Sequence, residues 1–119
     1  MTSKDNDHQT WVKSIVGLYV LILLEQEPMH GNKIAEEIRN RTKTAISPNP
    51  NALYPLLRVM EERGYIAGNW SNPETRNKRV YSITEQGLAY IPALREKVRI
   101  RLDESERKLQ ILREDLLHN

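Results

Sequence analysis

Polar side chains that could hydrogen-bond to DNA recur on one side of a helix predicted over residues 51–63. At about 100° per residue, Asn51, Tyr54 and Arg58 share one face, whereas Leu53 and Leu57 lie on the other. Asparagine can form paired hydrogen bonds with adenine and arginine with guanine, and a tyrosine hydroxyl usually binds phosphate. The pattern predicts an apolar face turned to the core and a polar face free to meet a duplex.

Two further groups of DNA-binding candidates flank this helix. Ser47 and Asn49 lie in a segment rich in capping residues just before it. Arg76, Lys78 and Arg79 lie in or beside the loop of a predicted β-hairpin, which we expect to project into solvent. We predict that both groups contact double-stranded DNA. The alternatives are that Tyr54 is a partly buried core residue, and that Arg58 and the loop cations are ordinary solvated charges.

No residue pattern for catalysis or metal binding stands out. The five glycines form no phosphate-binding loop, and there is no nucleophile elbow or paired-histidine helix. His8, His30 and His118 lack ligand spacing. Cysteine is absent, which excludes disulfides and thiolate zinc sites and fits a reducing compartment. We predict no enzyme activity, no cofactor and no metal.

Length and composition indicate one core and no membrane segment. A chain of 119 residues with 39% hydrophobic and 29% charged residues suits a single globular unit. The net charge of +2 by itself says little about nucleic acid. The uninterrupted apolar run 18–24 is far shorter than the roughly 20 residues of a membrane helix, and the N-terminus lacks the features of a signal peptide. We expect a cytoplasmic protein that has no membrane partner.

The elements that position the candidates are three helices, a hairpin and a long final helix. Apolar periodicity predicts helices over 11–25, 31–42 and 51–63, and alternation predicts strands over 65–71 and 78–83. Pro55 is acceptable only in a first helical turn, Gly64 suits the end of a helix, and Thr84 suits the cap of the next. Pro92 should kink or restart that final helix.

This order predicts a mainly α fold with a small β-hairpin, of the winged helix-turn-helix type. The predicted division is a flexible N-terminal tail over 1–10, a DNA-binding domain over 11–84 and a C-terminal dimerisation helix over 85–119.

Apolar residues on the first and last helices predict a homodimer. The first helix is apolar on nearly every side, so it must be covered on more than one side. The last helix carries apolar residues at heptad-like steps. The predicted dimer contacts are Trp11, Ile15, Tyr19, Ile91, Val98, Leu102, Leu109, Leu112 and Leu116. The alternative is that this face of the last helix folds back on its own domain.

Trp11 and Tyr19 are also candidates for lining a pocket for a small apolar effector. The alternative for these large aromatic residues is simple core packing.

Four fragments in order resemble the PadR family of transcriptional regulators, in its short form with one C-terminal helix. They are PMHG at 28–31, SP at 47–48 with LYPLL at 53–57, ERGYI at 62–66, and RVYSITEQG at 79–87. The resemblance implies a homodimer joined through the first and last helices, which binds a two-fold symmetric operator and usually represses transcription. It also implies that Tyr54 and the start of the third helix touch DNA, and that Lys78 and Arg79 lie in the wing, which is the predicted β-hairpin with its loop.

A second hypothesis is a winged-helix module that binds another protein chain and has no specific affinity for DNA.

Overall fold

The computed structural model of the chain describes residues 3–70 and 79–118. Its elements, in chain order, are α1 (Ser3–Gln26), β1 (Met29–His30), α2 (Gly31–Arg41), α3 (Pro50–Glu62), β2 (Ile66–Trp70), β3 (Arg79–Ile83) and α4 (Glu85–Leu117). This order confirms the mainly helical fold with a small β-sheet. None of the helices in the described part of the chain combines the length and apolarity that crossing a bilayer requires.

Helix α1 is the centre of the fold and packs against α2, α3, α4 and β3. Val20, Leu21 and Leu23 are fully buried, which confirms that this helix is covered on several sides. The helix begins at Ser3, so its backbone includes most of the segment expected to be a flexible tail. Residues 3–10 are polar but include neither proline nor glycine, so nothing in them stops a helix.

The turn between α2 and α3 holds two residues in the left-handed region, Lys43 (φ 53°) and Thr44 (φ 66°). The hydroxyl of Thr42 accepts a hydrogen bond from the amide of Ile46 (3.0 Å) and so closes this turn. Asn49 then caps α3, because its Oδ1 accepts a hydrogen bond from the amide of Ala52 at 3.0 Å. The cap and the turn together fix the direction in which α3 leaves α2.

Helix α3 contains Pro55 in its second turn, not in the first as predicted, because the helix already begins at Pro50. A proline there leaves the Asn51 carbonyl without its helical amide donor. The helix ends at Glu62, and Gly64, two residues later, has the left-handed φ of 85° predicted for the position after a helix end. The amide of Gly64 donates to the Glu61 carbonyl and that of Tyr65 to the Met60 carbonyl, both at 3.0 Å, which is the Schellman pattern.

The sheet has three antiparallel strands in the order β1-β3-β2, one more than the predicted hairpin. Strands β2 and β3 pair from Ile66 with Ile83 to Trp70 with Arg79. The additional strand β1 pairs Met29 with Tyr81. A strand of two residues is too short to show an alternating pattern, which is why the sequence did not reveal it.

Helix α4 begins as predicted, because the Thr84 hydroxyl accepts a hydrogen bond from the Gly87 amide at 3.0 Å. It continues through Pro92 to Leu117 as one helix, so of the two expected outcomes, a kink or a restart, the restart at Pro92 does not occur. Its first half packs on α1 through buried apolar residues. Its second half is exposed, which gives the described chain an elongated shape of 65 × 32 × 26 Å.

Candidate nucleic-acid interface

The outer face of α3 is polar and exposed, as the sequence predicted. Asn51 and Arg58 are exposed, and Tyr54 keeps 38% of its surface accessible. On the opposite side, Leu53 and Leu57 are buried in the core. The predicted division of this helix into two faces is therefore confirmed, and the three polar side chains are available to a ligand as broad as a duplex.

Tyr54 is held in place by the start of α2. Its hydroxyl donates a hydrogen bond to Oδ1 of Asn32 (3.2 Å). Its ring covers Gly31 so closely that a Cβ at that position would lie 2.7 Å from the ring. Glycine at position 31 thus lets the tyrosine rest against α2, and the ring presents a fixed edge to solvent.

The two candidates in the turn before α3, Ser47 and Asn49, differ in how far their polar atoms are already engaged in hydrogen bonds. Ser47 is exposed, and its hydroxyl donates to the Thr44 carbonyl over a long 3.4 Å. Asn49 is exposed as well, but its Oδ1 is already engaged by the Ala52 amide. The structure thus gives Asn49 a capping role that the predicted DNA contact did not include.

Arg79 lies against the protein and does not project into solvent as predicted. Its Nη2 atom donates to Glu61 Oε2 at 2.6 Å and to the Gly68 carbonyl at 3.0 Å. Its guanidinium also lies over the rings of Trp70 and Tyr81, at 5.8 and 5.9 Å from their centroids. The predicted DNA contact of Arg79 stays a prediction, and an ion pair with Glu61 of α3 already holds its side chain, of which 37% is exposed.

The other two wing candidates, Arg76 and Lys78, lie outside the described residues.

A groove of about 630 Å³ connects the outer face of α3 with the hairpin. It is lined by His30, Gly31, Asn32, Lys33, Glu36, Arg39, Tyr54, Trp70, Arg79 and Tyr81. Glu37 and Glu36 hold the Lys33 ammonium at 3.4 and 3.6 Å and raise its pKa. On the hairpin side, burial raises the pKa of the Tyr81 phenol. Lys33 and Arg79 are paired with carboxylates, so the attraction of this groove for an anionic backbone rests mainly on Arg39.

The predicted dimer contacts on α4 divide into a buried and an exposed group, whereas those on α1, Trp11, Ile15 and Tyr19, are partly buried. Ile91 and Val98 are buried in the core of their own chain, which supports the alternative that this part of the helix packs on its own domain. By contrast, the residues that follow on the same helix face are largely exposed, from 47% at Leu102 to 69% at Leu116. We call Leu102, Leu109, Leu112 and Leu116 the α4 seam. It is the part of the predicted interface on α4 that its own chain leaves uncovered.

The two effector candidates do not share a pocket. Tyr19 lines an apolar cavity of about 390 Å³ between α1, α4 and the turn after α2, together with Ile22, Ile46 and Leu102. Trp11 is not among the lining residues, and its ring faces the guanidinium of Arg101 at 5.6 Å. A ligand in this cavity would contact Tyr19 but not Trp11.

Asn32 and Glu61, which position Tyr54 and Arg79, were not among the predicted site residues. Glu61 lies two helical turns after Tyr54 on the same side of α3, so the helical wheel contained a signal for it. Asn32 offered no such signal, because its contact joins residues of different helices.

Comparison with known families identifies the chain. The sequence model of the Transcriptional regulator PadR-like family matches residues 20–93, which is more than half of the 119 residues. The chain belongs to this family. The PadR-like match covers the helices and strands that build the groove and ends in the first turns of α4. It confirms the resemblance that the four sequence fragments indicated.

Individual relatives agree with this assignment. The transcriptional regulator YqjI of Escherichia coli is 30% identical over 81 residues, which are 68% of this chain but only 38% of that protein. The PadR-like chain thus spans well under half the length of this relative. A transcriptional regulator from Clostridium thermocellum has the same fold, with 24% identity and a TM-score of 0.72 over 81% of this chain and 94% of its own.

Bacillus subtilis PadR, solved in complex with operator DNA, also shares the fold. Its TM-score is 0.59, with 20% identity over 66% of this chain and 44% of that one.

Proposed function

We propose that this PadR-like chain binds double-stranded DNA as a cytoplasmic homodimer and represses transcription at a two-fold symmetric operator. The observation that carries the proposal is the exposed polar face of α3, formed by Asn51, Tyr54 and Arg58 above a fully apolar inner face. A helix with this division suits the major groove. The solved operator complex of Bacillus subtilis PadR, which has the same fold, supports this reading.

The groove beside α3 extends the proposed contact toward the phosphate backbone. Lys33 and Arg39 lie on its α2 side and Trp70 on its hairpin side. A duplex whose major groove accepts α3 has its sugar-phosphate strands on both sides of that helix. We therefore assign base contacts to Asn51 and Arg58, and backbone contacts to Tyr54 and the cations of α2.

The α4 seam supports the proposed homodimer. Four leucines exposed along one face of a helix of 33 residues form a stripe on a helix that is about 50 Å long. Soluble monomers rarely leave so large an apolar surface uncovered. A second copy would bring an equal stripe, and a two-fold axis between the copies would present two α3 helices to a palindromic site.

The apolar cavity beside Tyr19 supports the proposal of a small apolar effector. Its volume of about 390 Å³ suits a small molecule, and its walls include Val98 and Leu102 at the start of the exposed half of α4. A ligand there would touch both the core and the proposed dimer contact. Binding could then change operator affinity through the relative position of the two copies.

The DNA contact is tested by comparing Arg58 of α3 with Arg63, the residue that follows the end of this helix. Arg58→Ala and Arg63→Ala remove the same charge from exposed positions, but only Arg58 lies on the proposed contact face. Titrations should use the duplex that the unaltered protein selects from a randomised pool. We expect Arg58→Ala to weaken binding by roughly 1–3 kcal/mol and Arg63→Ala to have a much smaller effect. Equal losses, or no binding of the unaltered protein at low salt, would refute the proposal.

The homodimer is tested by sedimentation of two glutamate variants. Leu109→Glu places a charge in the α4 seam, whereas Gln110→Glu places the same residue one position away, outside the seam. We expect Leu109→Glu to shift the protein to monomer at concentrations where Gln110→Glu stays dimeric. If both variants sediment like the unaltered chain, the seam is not the interface.

The effector site is tested by filling it. Ala45→Trp places a large side chain in the cavity wall, and Ala93→Trp places one at an exposed position of α4. A panel of apolar compounds is screened for shifts in melting temperature. We expect compounds that stabilise the unaltered chain and Ala93→Trp to leave Ala45→Trp unchanged. A panel without any stabilising compound contradicts the effector proposal.

A further inference from the structure

We propose that Glu61 and Arg79 position the hairpin on α3, so that Glu61 acts as a positioning residue for DNA binding although it does not touch DNA. We call the two residues the wing clamp. The inference rests on the proposed function, because it concerns the same interface, but the clamp itself is visible in the fold without any DNA.

One carboxylate oxygen of Glu61 holds both strands of the hairpin. Oε2 accepts a hydrogen bond from Nη2 of Arg79, on β3, at 2.6 Å. The same oxygen accepts one from the amide of Gly68, on β2, at 3.3 Å. Arg79 also reaches across the hairpin to the Gly68 carbonyl at 3.0 Å. A single side chain of α3 therefore fixes β2 and β3 together.

The arginine of the clamp is fixed from its other sides as well. Trp70 and Tyr81 place their rings within 6 Å of its guanidinium, at 5.8 and 5.9 Å. A Cβ on Gly68 would lie 2.6 Å from its Nε, so only a glycine leaves room for this conformation. Turning Arg79 outward to a phosphate would break the ion pair and both ring contacts. The loss of these contacts favours a role in positioning the hairpin over a direct contact with phosphate.

The position of the clamp explains why DNA binding would depend on it. Glu61 lies near the C-terminal end of α3, while Asn51, Tyr54 and Arg58 lie along its outer face. Strand β1 pairs with β3 only at Val80 and Tyr81, so the end of the hairpin at Trp70 and Arg79 is two-stranded. A two-stranded segment has little stability alone, so the position of this end relative to α3 depends on side-chain contacts of this kind. Without the clamp, the hairpin would spend only part of its time where it can meet the same duplex as α3.

The first experiment compares Glu61→Ala with Glu62→Ala, using the duplex selected from a randomised pool by the unaltered protein. Both variants remove one negative charge from neighbouring positions of α3 and keep a strong helix former. If loss of the clamp leaves the hairpin correctly placed about a tenth of the time, the dissociation constant of Glu61→Ala rises about tenfold. The Glu62→Ala variant should bind at least as tightly as the unaltered chain, because it loses a charge that repels phosphate.

The second experiment distinguishes a positioning role of Arg79 from a phosphate contact. Arg79→Met keeps most of the apolar stem on the two rings but removes the guanidinium. We expect it to weaken binding as much as Glu61→Ala does, and the double variant to be no weaker than either single one. The slope of log affinity against log salt should stay unchanged. A direct phosphate contact would instead lower that slope by about 0.9.

A third readout tests the clamp without DNA. Amide hydrogen exchange at Gly68 should accelerate in Glu61→Ala but not in Glu62→Ala, with circular dichroism confirming that both remain helical. Should Glu61→Ala fail to fold, Glu61→Gln and Arg79→Lys, which retain hydrogen-bonding groups, take its place with smaller effects in the same direction.

Wild-type exchange at Gly68 in Glu61→Ala, or DNA affinity equal to that of Glu62→Ala, would overturn the clamp. A chain that lacks DNA affinity altogether would overturn the proposed function, while the exchange data would still decide whether the clamp exists.

Discussion

Two buried glycines in helices should respond in opposite directions when they are replaced by alanine. Gly17 lies within α1, and Gly87 lies in the first turn of α4. Alanine is favoured over glycine by about 0.8–1 kcal/mol in a helix interior, so propensity alone predicts a gain at Gly17 and a smaller one at Gly87. The sign of each outcome is decided by the atoms that the new methyl group would meet.

At Gly17 the methyl group fits into existing space. Its nearest neighbours would be side-chain atoms of Leu94 and Met60, each at 4.0 Å, which is an ordinary van der Waals distance. Nothing has to move, and burial of the added carbon contributes to stability together with helix propensity. We expect Gly17→Ala to raise the free energy of unfolding by about 1 kcal/mol.

At Gly87 the methyl group would collide with the backbone. A Cβ would lie 2.1 Å from the Tyr65 carbonyl oxygen, which also accepts hydrogen bonds from the Thr84 amide at 3.2 Å and hydroxyl at 3.0 Å. Relieving the clash costs about 1–3 kcal/mol as overpacking, and about 1 kcal/mol more for a weakened hydrogen bond. After subtracting the gain in propensity, we expect Gly87→Ala to lose about 2 kcal/mol.

Urea unfolding followed by circular dichroism measures both effects. All proteins must be compared at one concentration, because self-association makes apparent stability depend on it. The two midpoints should move in opposite directions while the slopes stay equal. The reasoning is refuted if Gly87→Ala is as stable as the unaltered chain, or if Gly17→Ala is less stable by 1 kcal/mol or more.

Three further predictions follow from single positions. Burial raises the pKa of Tyr81 above its ordinary 10.0, so the folded state holds the phenol proton more tightly than the unfolded state does. The free energy of unfolding should therefore fall as pH rises above 10.0. Urea midpoints measured across that range should fall less in Tyr81→Phe. Thr44 is a β-branched residue with a φ of 66°, so Thr44→Gly should raise the free energy of unfolding by about 0.5–1 kcal/mol, seen as a higher urea midpoint; a lower midpoint would show that the turn is unstrained. Gly31→Ala would push the Tyr54 ring off α2, so duplex affinity should change at least several-fold, while the free energy of unfolding changes by about 1 kcal/mol or less. Unchanged affinity in an anisotropy titration would contradict a DNA contact by Tyr54.

The sequence predicted those parts of the fold whose information is local. The faces of α3, the left-handed Gly64 and the Thr84 cap each follow from residues within one or two helical turns. The strand β1 was missed because its two residues are extended only through pairing with β3, far along the chain. Local periodicity cannot report a pairing of that kind.

The candidate site was less predictable because its side chains meet across elements. Arg79 could be recognised as a cation near the hairpin loop, but its partner Glu61 lies 18 residues away. The heptad pattern of α4 raised the same difficulty. Ile91 and Leu102 both belong to it, yet the first is covered by the chain's own core and the second is exposed. A repeat shows which face is apolar, and only the fold shows what covers it.

The junction at Tyr65 has a mechanical consequence for the proposed dimer. Its carbonyl joins the end of α3 to Thr84 at the start of α4, and the Tyr65 ring stacks on Tyr90 with centroids 4.4 Å apart. Gly64, at the same turn, also accepts a hydrogen bond from Thr84 at 2.6 Å. Two hydrogen-bond acceptors and a stacked ring pair thus join the start of α4 to the end of α3. In the proposed dimer, a tilt between the two α4 helices would therefore change the separation of the two α3 helices directly.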